Sequence, residues 1–257
     1  MSITCSTFYK FVPIAGREAL QADLKALTAK HGIKGTILVA HEGINSTIAG
    51  RDEDVRAVLA WLRADPRFSD LVSKESTTES VPFRKMKVRI KREIVTFGAP
   101  EADPNRQVGT YVKPEAWNAL ISDPDVIVLD TRNDYEVAIG TFDRAIDPKT
   151  RKFTELKDHV ARNLDPKRHP RIAMFCTGGI RCERASSWFL AQGFPEVYHL
   201  EGGILKYLEE IPREASLWRG ECYVFDERVA LEHGVVPGKH GSCKACGWPV
   251  ERRAADM

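Results

Sequence analysis

RIAMFCTGGIRCERASSWFLAQ, residues 171–192, is the stretch that decides the fold. A short apolar run ends in Cys176, a Gly-Gly turn follows, and from Glu183 onward (ERASSWFLAQ) the sequence is helix-forming. A continuous apolar run bounded by glycine marks a strand buried on both faces, as in a parallel sheet. DVIVLDTR (125–132) and VYHL (197–200) are two more such runs, with helical stretches between them and another opening the region from Pro114 to Ile121. The alternation predicts an α/β domain with a central parallel sheet over residues 111–217. Sites in such sheets form at the carboxyl ends of the strands, and both Asp130 and Cys176 stand at such ends.

The loop between strand and helix has its own chemistry. Gly178 and Gly179 can take backbone conformations closed to other residues. The amides of Thr177, Gly178, Gly179 and Ile180 can then point inward as an anion-binding nest, reinforced by the dipole of the following helix and by Arg181. A cysteine facing such a nest is expected to sit as thiolate, and a sulfur or oxygen added to it would be stabilised in the same way. The alternative is an inert buried cysteine, which is common in strands but leaves the surrounding glycines and arginine unexplained.

The portion before this domain follows a different plan. TFYKFVPI (7–14) reads as a strand, and Gly16 to Lys30 carries Leu20, Leu24 and Leu27 at helical spacing before stopping at His31-Gly32. Thr36–Ala40 and Ile44–Ala49 read as strands hinged at Glu42-Gly43, Asp52 to Leu62 as a second helix, and KMKVRIKREIV (85–95) as a last strand. The order β-α-β-β-α-β is that of a ferredoxin-like α+β domain, the class that includes acylphosphatases, here over residues 1–97. Residues 98–110, containing GAPEADPNRQVG, read as a linker. Residues 218–257 form a Cys-containing extension too short for a core of its own without a metal or docking onto the rest.

Charge divides unevenly along the chain. Residues 1–97 carry 16 Lys and Arg against 11 Asp and Glu, a net +5, while the remainder carries 22 against 25. Within the basic portion, period-two alternation in RKMKVRIKR sets Lys85, Lys87, Arg89 and Lys91 on one face of a strand and Met86, Val88 and Ile90 on the other. Such a row is either a phosphate track for RNA or the solvated face of an edge strand, where lysines also discourage aggregation. No run of about 18 apolar residues exists, so no membrane span is expected. The start lacks a basic region leading into an apolar one, so no secretory signal is expected. Six cysteines without the spacing of a disulfide framework suit a reducing compartment.

Three segments carry a family resemblance. The Cys-x-x-Gly-x-Arg loop is similar to the active loop of rhodanese domains. LDTRNDYEVAIGTFDRAID (129–147) resembles their upstream signature through Asp130, Arg132, Glu136, Gly140, Ala145 and Ile146, and LEGGILKY (200–207) resembles their closing Gly-Gly segment. The closer resemblance is to the rhodanese-like tRNA uridine hydroxylases, whose doubled-cysteine loop CTGGIRCE is present in full at 176–183. AHEGINSTIAG (40–50), DYEVAIGTF (134–142) and WRGECYVFDERVA (218–230) resemble further hallmarks of that family. The resemblance implies a cytoplasmic enzyme that converts the wobble uridine of tRNA to 5-hydroxyuridine with molecular oxygen as co-substrate. It also implies that the loop cysteine, Cys176, is essential, by analogy a carrier of persulfide.

Several roles stay open at this level. Cys182 either resolves an oxidised or persulfidated Cys176 or merely packs the loop against the sheet. Asp130 and Arg132 read as an ion pair bracing the loop. Cys243 and Cys246 in HGSCKACG (240–247) supply half of a structural zinc site, needing two more ligands from His240, Cys222 or His233, or they serve a redox role, or they are inert. Trp218, Tyr223, Phe225 and Trp248 read as docking anchors rather than base-stacking platforms. The loop alone would equally suit a sulfurtransferase moving sulfane sulfur between a donor and an acceptor. A non-enzymatic tRNA- or protein-binding module is a third class, which the intact cysteine loop argues against. Cysteine-dependent phosphatases of related shape use a loop one residue longer than the four residues between Cys176 and Arg181.

Overall fold

The structure is a computed structural model that describes residues 2–252. The chain forms two compact units, one ending at Thr96 and the other beginning at Phe97.

In the first unit, β1 (Ile3–Phe11), α1 (Arg17–Lys30), β2 (Lys34–Ala40), β3 (Gly43–Arg51), α2 (Asp52–Arg63), β4 (Ser73–Thr78) and β5 (Met86–Ile90) follow in order. Their sheet runs β4-β1-β3-β2-β5. The helices bury one side of it: Leu20 and Leu24 of α1 and Val55, Val58, Leu59 and Leu62 of α2 meet Phe8, Ile37, Val39, Ile44, Ile48 and Val88 of the strands. Asp52, Glu53 and Asp54 in the first turn of α2 and Arg63 in its last complement the helix dipole. This is the expected ferredoxin-like unit, with one difference. The strand that completes the β-α-β-β-α-β order is β4, antiparallel to β1, whereas the basic strand β5 is an addition at the opposite edge, parallel to β2.

The second unit holds β6 (Thr110–Val112), α3 (Pro114–Ser122), β7 (Ile127–Asp130), α4 (Asp134–Val137), β8 (Gly140–Phe142), α5 (Leu156–Asn163), β9 (Arg171–Phe175), α6 (Ile180–Ala191), β10 (Glu196–Leu200) and α7 (Gly203–Glu210). A parallel sheet of order β6-β10-β9-β7 lies at its centre. Trp117 and Ile121 of α3 and Ile204, Leu205 and Leu208 of α7 pack with Ala173 and Phe175 on one face. Helix α6 packs along β9 and β10 and contributes nothing to that cluster, so it covers the other face. The expected sheet of three strands has a fourth, β6, too short to stand out by its apolar pattern.

Residues 98–109 contain only turns and irregular backbone. They are held along α6: Arg184 donates to the Ala102 carbonyl, the Gly109 amide donates to Ser186 Oγ at 2.9 Å, and Trp188 Nε1 donates to Glu101 at 3.1 Å. The segment after α7 docks onto the same unit. β11 (Trp218–Gly220) pairs antiparallel with β8, the Glu221 amide donates to the Ile139 carbonyl at 2.7 Å, and β12 (Cys222–Tyr223) pairs with β13 (Ala230–Glu232). Trp218, 5% exposed, sits with its ring centroid 5.1 Å from that of Phe142. Of the four tail aromatics expected to anchor, Trp218 is buried, but Phe225 is 60% and Trp248 45% exposed.

Candidate active site at the Cys176 loop

Cys176 leaves the end of β9 and its thiol is 1% exposed. The helix that follows begins at Ile180, three residues before the expected Glu183, so Arg181 and Cys182 belong to its first turn and the loop is the helix N-terminus itself. Gly179 is the N-cap at φ +102°, a left-handed conformation that favours glycine. Gly178 has no such φ, and nothing lies within 4 Å of where its Cβ would sit, so only one of the two glycines is needed for backbone freedom. The Gly179 amide donates to Cys176 Sγ at 3.1 Å.

A second helix closes the loop from behind. The amides of Ile204 and Leu205, at the start of α7, donate to the carbonyls of Cys176 and Thr177 at 2.9 and 3.1 Å. Gly203, just before them, has φ +69°, and a Cβ there would lie 2.5 Å from the Cys176 carbonyl oxygen. The closing Gly-Gly segment thus serves a close backbone approach, which is the physical content of that motif.

The electrostatics favour charge on Cys176. Burial pushes its thiol up, but the Cys182 side chain, the Arg181 guanidinium and the amides of Cys182 and Gly179 outweigh it and bring it from 9.0 to about 5. Cys182 moves the opposite way, raised by its own burial and by the Cys176 sulfur, and lies 3.6 Å from Thr131 Oγ1. The pair therefore shares one proton, held on Cys182. Thr177 turns its hydroxyl elsewhere, with a Glu136 carboxylate oxygen and the Tyr223 carbonyl as alternative acceptors of its one proton, both at 3.4 Å.

Arg181 is fixed by Glu136, which accepts from Nη1 at 2.6 Å and Nη2 at 2.7 Å with no exposure of the carboxylate. Burial pushes Glu136 up, but Arg181 beside it outweighs that and holds the carboxyl low. The same side chain accepts from the Asn133 amide, completing a capping box on α4. Sequence reading placed Glu136 in a signature without finding this role, because its partner lies 45 residues away.

Asp130 and Arg132 form a second, wholly buried pair at 2.6 Å. Arg132 also donates to the carbonyls of Glu136 and Gly140, Thr141 donates to Asp130, and the guanidinium lies 5.1 Å from the Trp218 ring. These bonds tie the end of β7 to β8 and to the docked tail. Cys222, fully buried, comes near Arg132 and Thr177, and its burial pushes the thiol up to about 12, so it is neutral.

The remaining sequence candidates lie apart from the loop. Lys85, Lys87, Arg89 and Lys91 belong to the first unit and are all exposed, Lys87 and Arg89 on edge strand β5 and Lys85 and Lys91 just beyond its two ends, with Val88 buried and Met86 and Ile90 half-buried behind them. Cys243 and Cys246 share a turn closed by the Gly247 amide on the Cys243 carbonyl at 2.8 Å. His240 instead pairs with Glu221 at 2.9 Å, Cys222 is buried beside the loop, and among the described residues no three metal-binding side chains come together. The four ligands of a structural zinc are not assembled there.

Residues 3–94 match the UPF0176 acylphosphatase-like domain, and residues 113–210 match the rhodanese-like domain. A tRNA uridine(34) hydroxylase from Rhizobium etli is 58% identical over 95% of this chain and 79% of its own length. The chain belongs to the tRNA uridine(34) hydroxylase family. Other family members of that name, from Rhizobium leguminosarum and Sinorhizobium medicae, are 58% and 55% identical over the same 95% of the chain, covering 79% and 78% of their own lengths. In this chain the doubled-cysteine loop has a physical reading, one thiol charged and the other holding the proton beside it.

Proposed function

We propose that this protein hydroxylates the wobble uridine, position 34, of tRNA to 5-hydroxyuridine, with molecular oxygen as co-substrate and Cys176 as the reactive group. The observation that carries the proposal is the thiolate of Cys176, held at a helix N-terminus against Arg181 in a chain 58% identical to proteins of that name. A reacting thiol must be ionised at neutral pH, and this one is. The amides of Gly179 and Cys182, together with Arg181, hold the anionic sulfur and whatever atom it acquires. Cys182 supplies the neighbouring thiol able to resolve an oxidised or persulfidated Cys176, and Asp130 with Arg132 braces the loop.

The basic first unit takes the tRNA backbone, with Lys85, Lys87, Arg89 and Lys91 as the phosphate-contacting row. No helix among the described residues is long and apolar enough to cross a membrane, which agrees with action on tRNA in the cytoplasm. The test is nucleoside mass spectrometry of tRNA from cells lacking the gene, complemented with wild type or with Cys176→Ser. Restoration of 5-hydroxyuridine by wild type alone is the expected result. Equal restoration by Cys176→Ser removes the thiol from the reaction, and no change on deleting the gene, in cells with no other route to the nucleoside, removes the reaction.

A further inference from the structure

The docked tail and Tyr135 of α4 together place a row of rings beside the Cys176 loop. Phe225 lies with its centroid 5.2 Å from Tyr223, Tyr223 5.2 Å from Tyr135, and Tyr135 6.3 Å from Trp248. The row touches the loop at two points: the Arg181 guanidinium is 5.8 Å from the Phe225 centroid, and the Thr177 hydroxyl is 3.4 Å from the Tyr223 carbonyl. The two rings at its ends are the exposed ones, Phe225 at 60% and Trp248 at 45%. A tail that needed them only as anchors would bury them as it buries Trp218.

Phe225 is also held still. It stands in the turn between Val224 and Val229, which is closed by the Val224 amide on the Val229 carbonyl at 2.8 Å. Asp226 and Arg228 brace the turn through a buried two-point pair at 2.8 and 2.6 Å. An exposed aromatic on a rigid turn loses little freedom when something stacks on it.

Charge at the mouth selects the kind of ligand. Arg181, the one cation of the loop, is already paired at two points with Glu136, and the Gly179 amide already donates to Cys176 Sγ, so neither is left over for a phosphate. A flat, uncharged π-face is what such a rim accommodates. A base inside a folded anticodon is inaccessible to an enclosed thiol, so it must leave its stack, and the lost stacking needs a replacement.

We propose that Phe225, continued by Tyr223, Tyr135 and Trp248, is the stacking platform for one unstacked pyrimidine base of RNA, the uridine presented to Cys176. The proposal rests on the reaction assigned above. The test uses the full chain and two tRNA anticodon stem-loops, one with uridine at position 34 and one abasic there, with affinity and hydroxylation measured separately. Wild type should bind the uridine stem-loop roughly 5- to 100-fold more tightly than the abasic one. Phe225→Ala should abolish that difference by weakening only the uridine complex, Phe225→Trp should keep it, and Phe225→Leu, which retains apolar volume without a π-face, should not. Unchanged thermal unfolding checks that these exposed-site variants fold. Equal affinity of wild type for both stem-loops, or an undiminished preference in Phe225→Ala, overturns the platform even where wild type hydroxylates uridine. A stacking preference without hydroxylation supports the platform and overturns the reaction instead.

Discussion

Glu136 grips Arg181 with both carboxylate oxygens, at 2.6 and 2.7 Å, and so connects the short helix after β7 to the first turn of α6. Neither group has water to fall back on. Removing one member of a buried pair leaves the other uncompensated, at a cost of about 3–5 kcal/mol. Glu136→Ala should therefore lower the unfolding free energy from urea denaturation by that amount and abolish hydroxylation together. Glu136→Gln keeps the shape and one acceptor, and should lie between the two. A Glu136→Ala protein of wild-type stability would show that Arg181 does not depend on this carboxylate.

Cys176 should titrate near pH 5 and not near 9, read as the far-ultraviolet thiolate absorbance of wild type minus Cys176→Ser. Cys182 provides the largest of the lowering contributions, so Cys182→Ala should move the midpoint upward, and Cys182→Ser, which retains a donor, should move it less. The sign for stability follows from the lowered value. The folded state prefers the thiolate, so its stabilising contribution is complete above the ordinary pKa of 9.0 and is lost as pH falls through about 5. The stability of wild type relative to Cys176→Ser should decline over that interval, and a difference that grows on acidification would contradict a thiolate in the folded protein.

What the sequence made legible here depended on periodicity and on contiguous motifs. The largely apolar runs within 125–132, 171–176 and 197–200 point to the parallel sheet, and strands lie at 127–130, 171–175 and 196–200. Ser73–Thr78, SKESTT, is half-buried at a sheet edge and has no apolar alternation, so the strand that completes the first unit gave no signal, and the more regular KMKVRI took its place. The start of α6 was missed because Gly179 caps it by backbone conformation alone, with no Ser, Thr, Asp or Asn side chain to mark the boundary. The Cys176 loop was legible because its parts are adjacent. Glu136, Gly203 and Phe225 reach it through the fold from outside its contiguous motif, and no local pattern could have assigned their parts.

Gly203 and Gly178 offer a paired test of which glycines the loop requires. Gly203→Ala introduces a side chain at a left-handed position, costing roughly 1–2 kcal/mol from conformation alone. It also drives a Cβ against the Cys176 and Thr177 carbonyls, with no flexible side chain to yield. Denaturation should show a loss well beyond the conformational figure, together with loss of activity. Gly178→Ala meets open space and should stay within about 1 kcal/mol of wild type. Equal effects of the two substitutions would mean that α7 does not constrain the loop.

The row along β5 and its two flanks is testable without reference to the reaction, because its four cations are exposed. The inner side of the strand is packed through Val88, so shortening the outer side chains should leave folding intact. Each phosphate contact contributes through released counterions, which makes affinity fall with salt in proportion to the number of contacts. Lys87→Ala with Arg89→Ala should weaken tRNA binding at low salt and reduce the slope of log affinity against log salt by roughly 1 to 2. Uridine and abasic stem-loops should be weakened alike, since the backbone is unchanged between them. That separates this row from Phe225, where only the uridine complex should suffer. A double variant with the wild-type slope would assign Lys87 and Arg89 to guarding the sheet edge against aggregation, the other use of a charged edge strand.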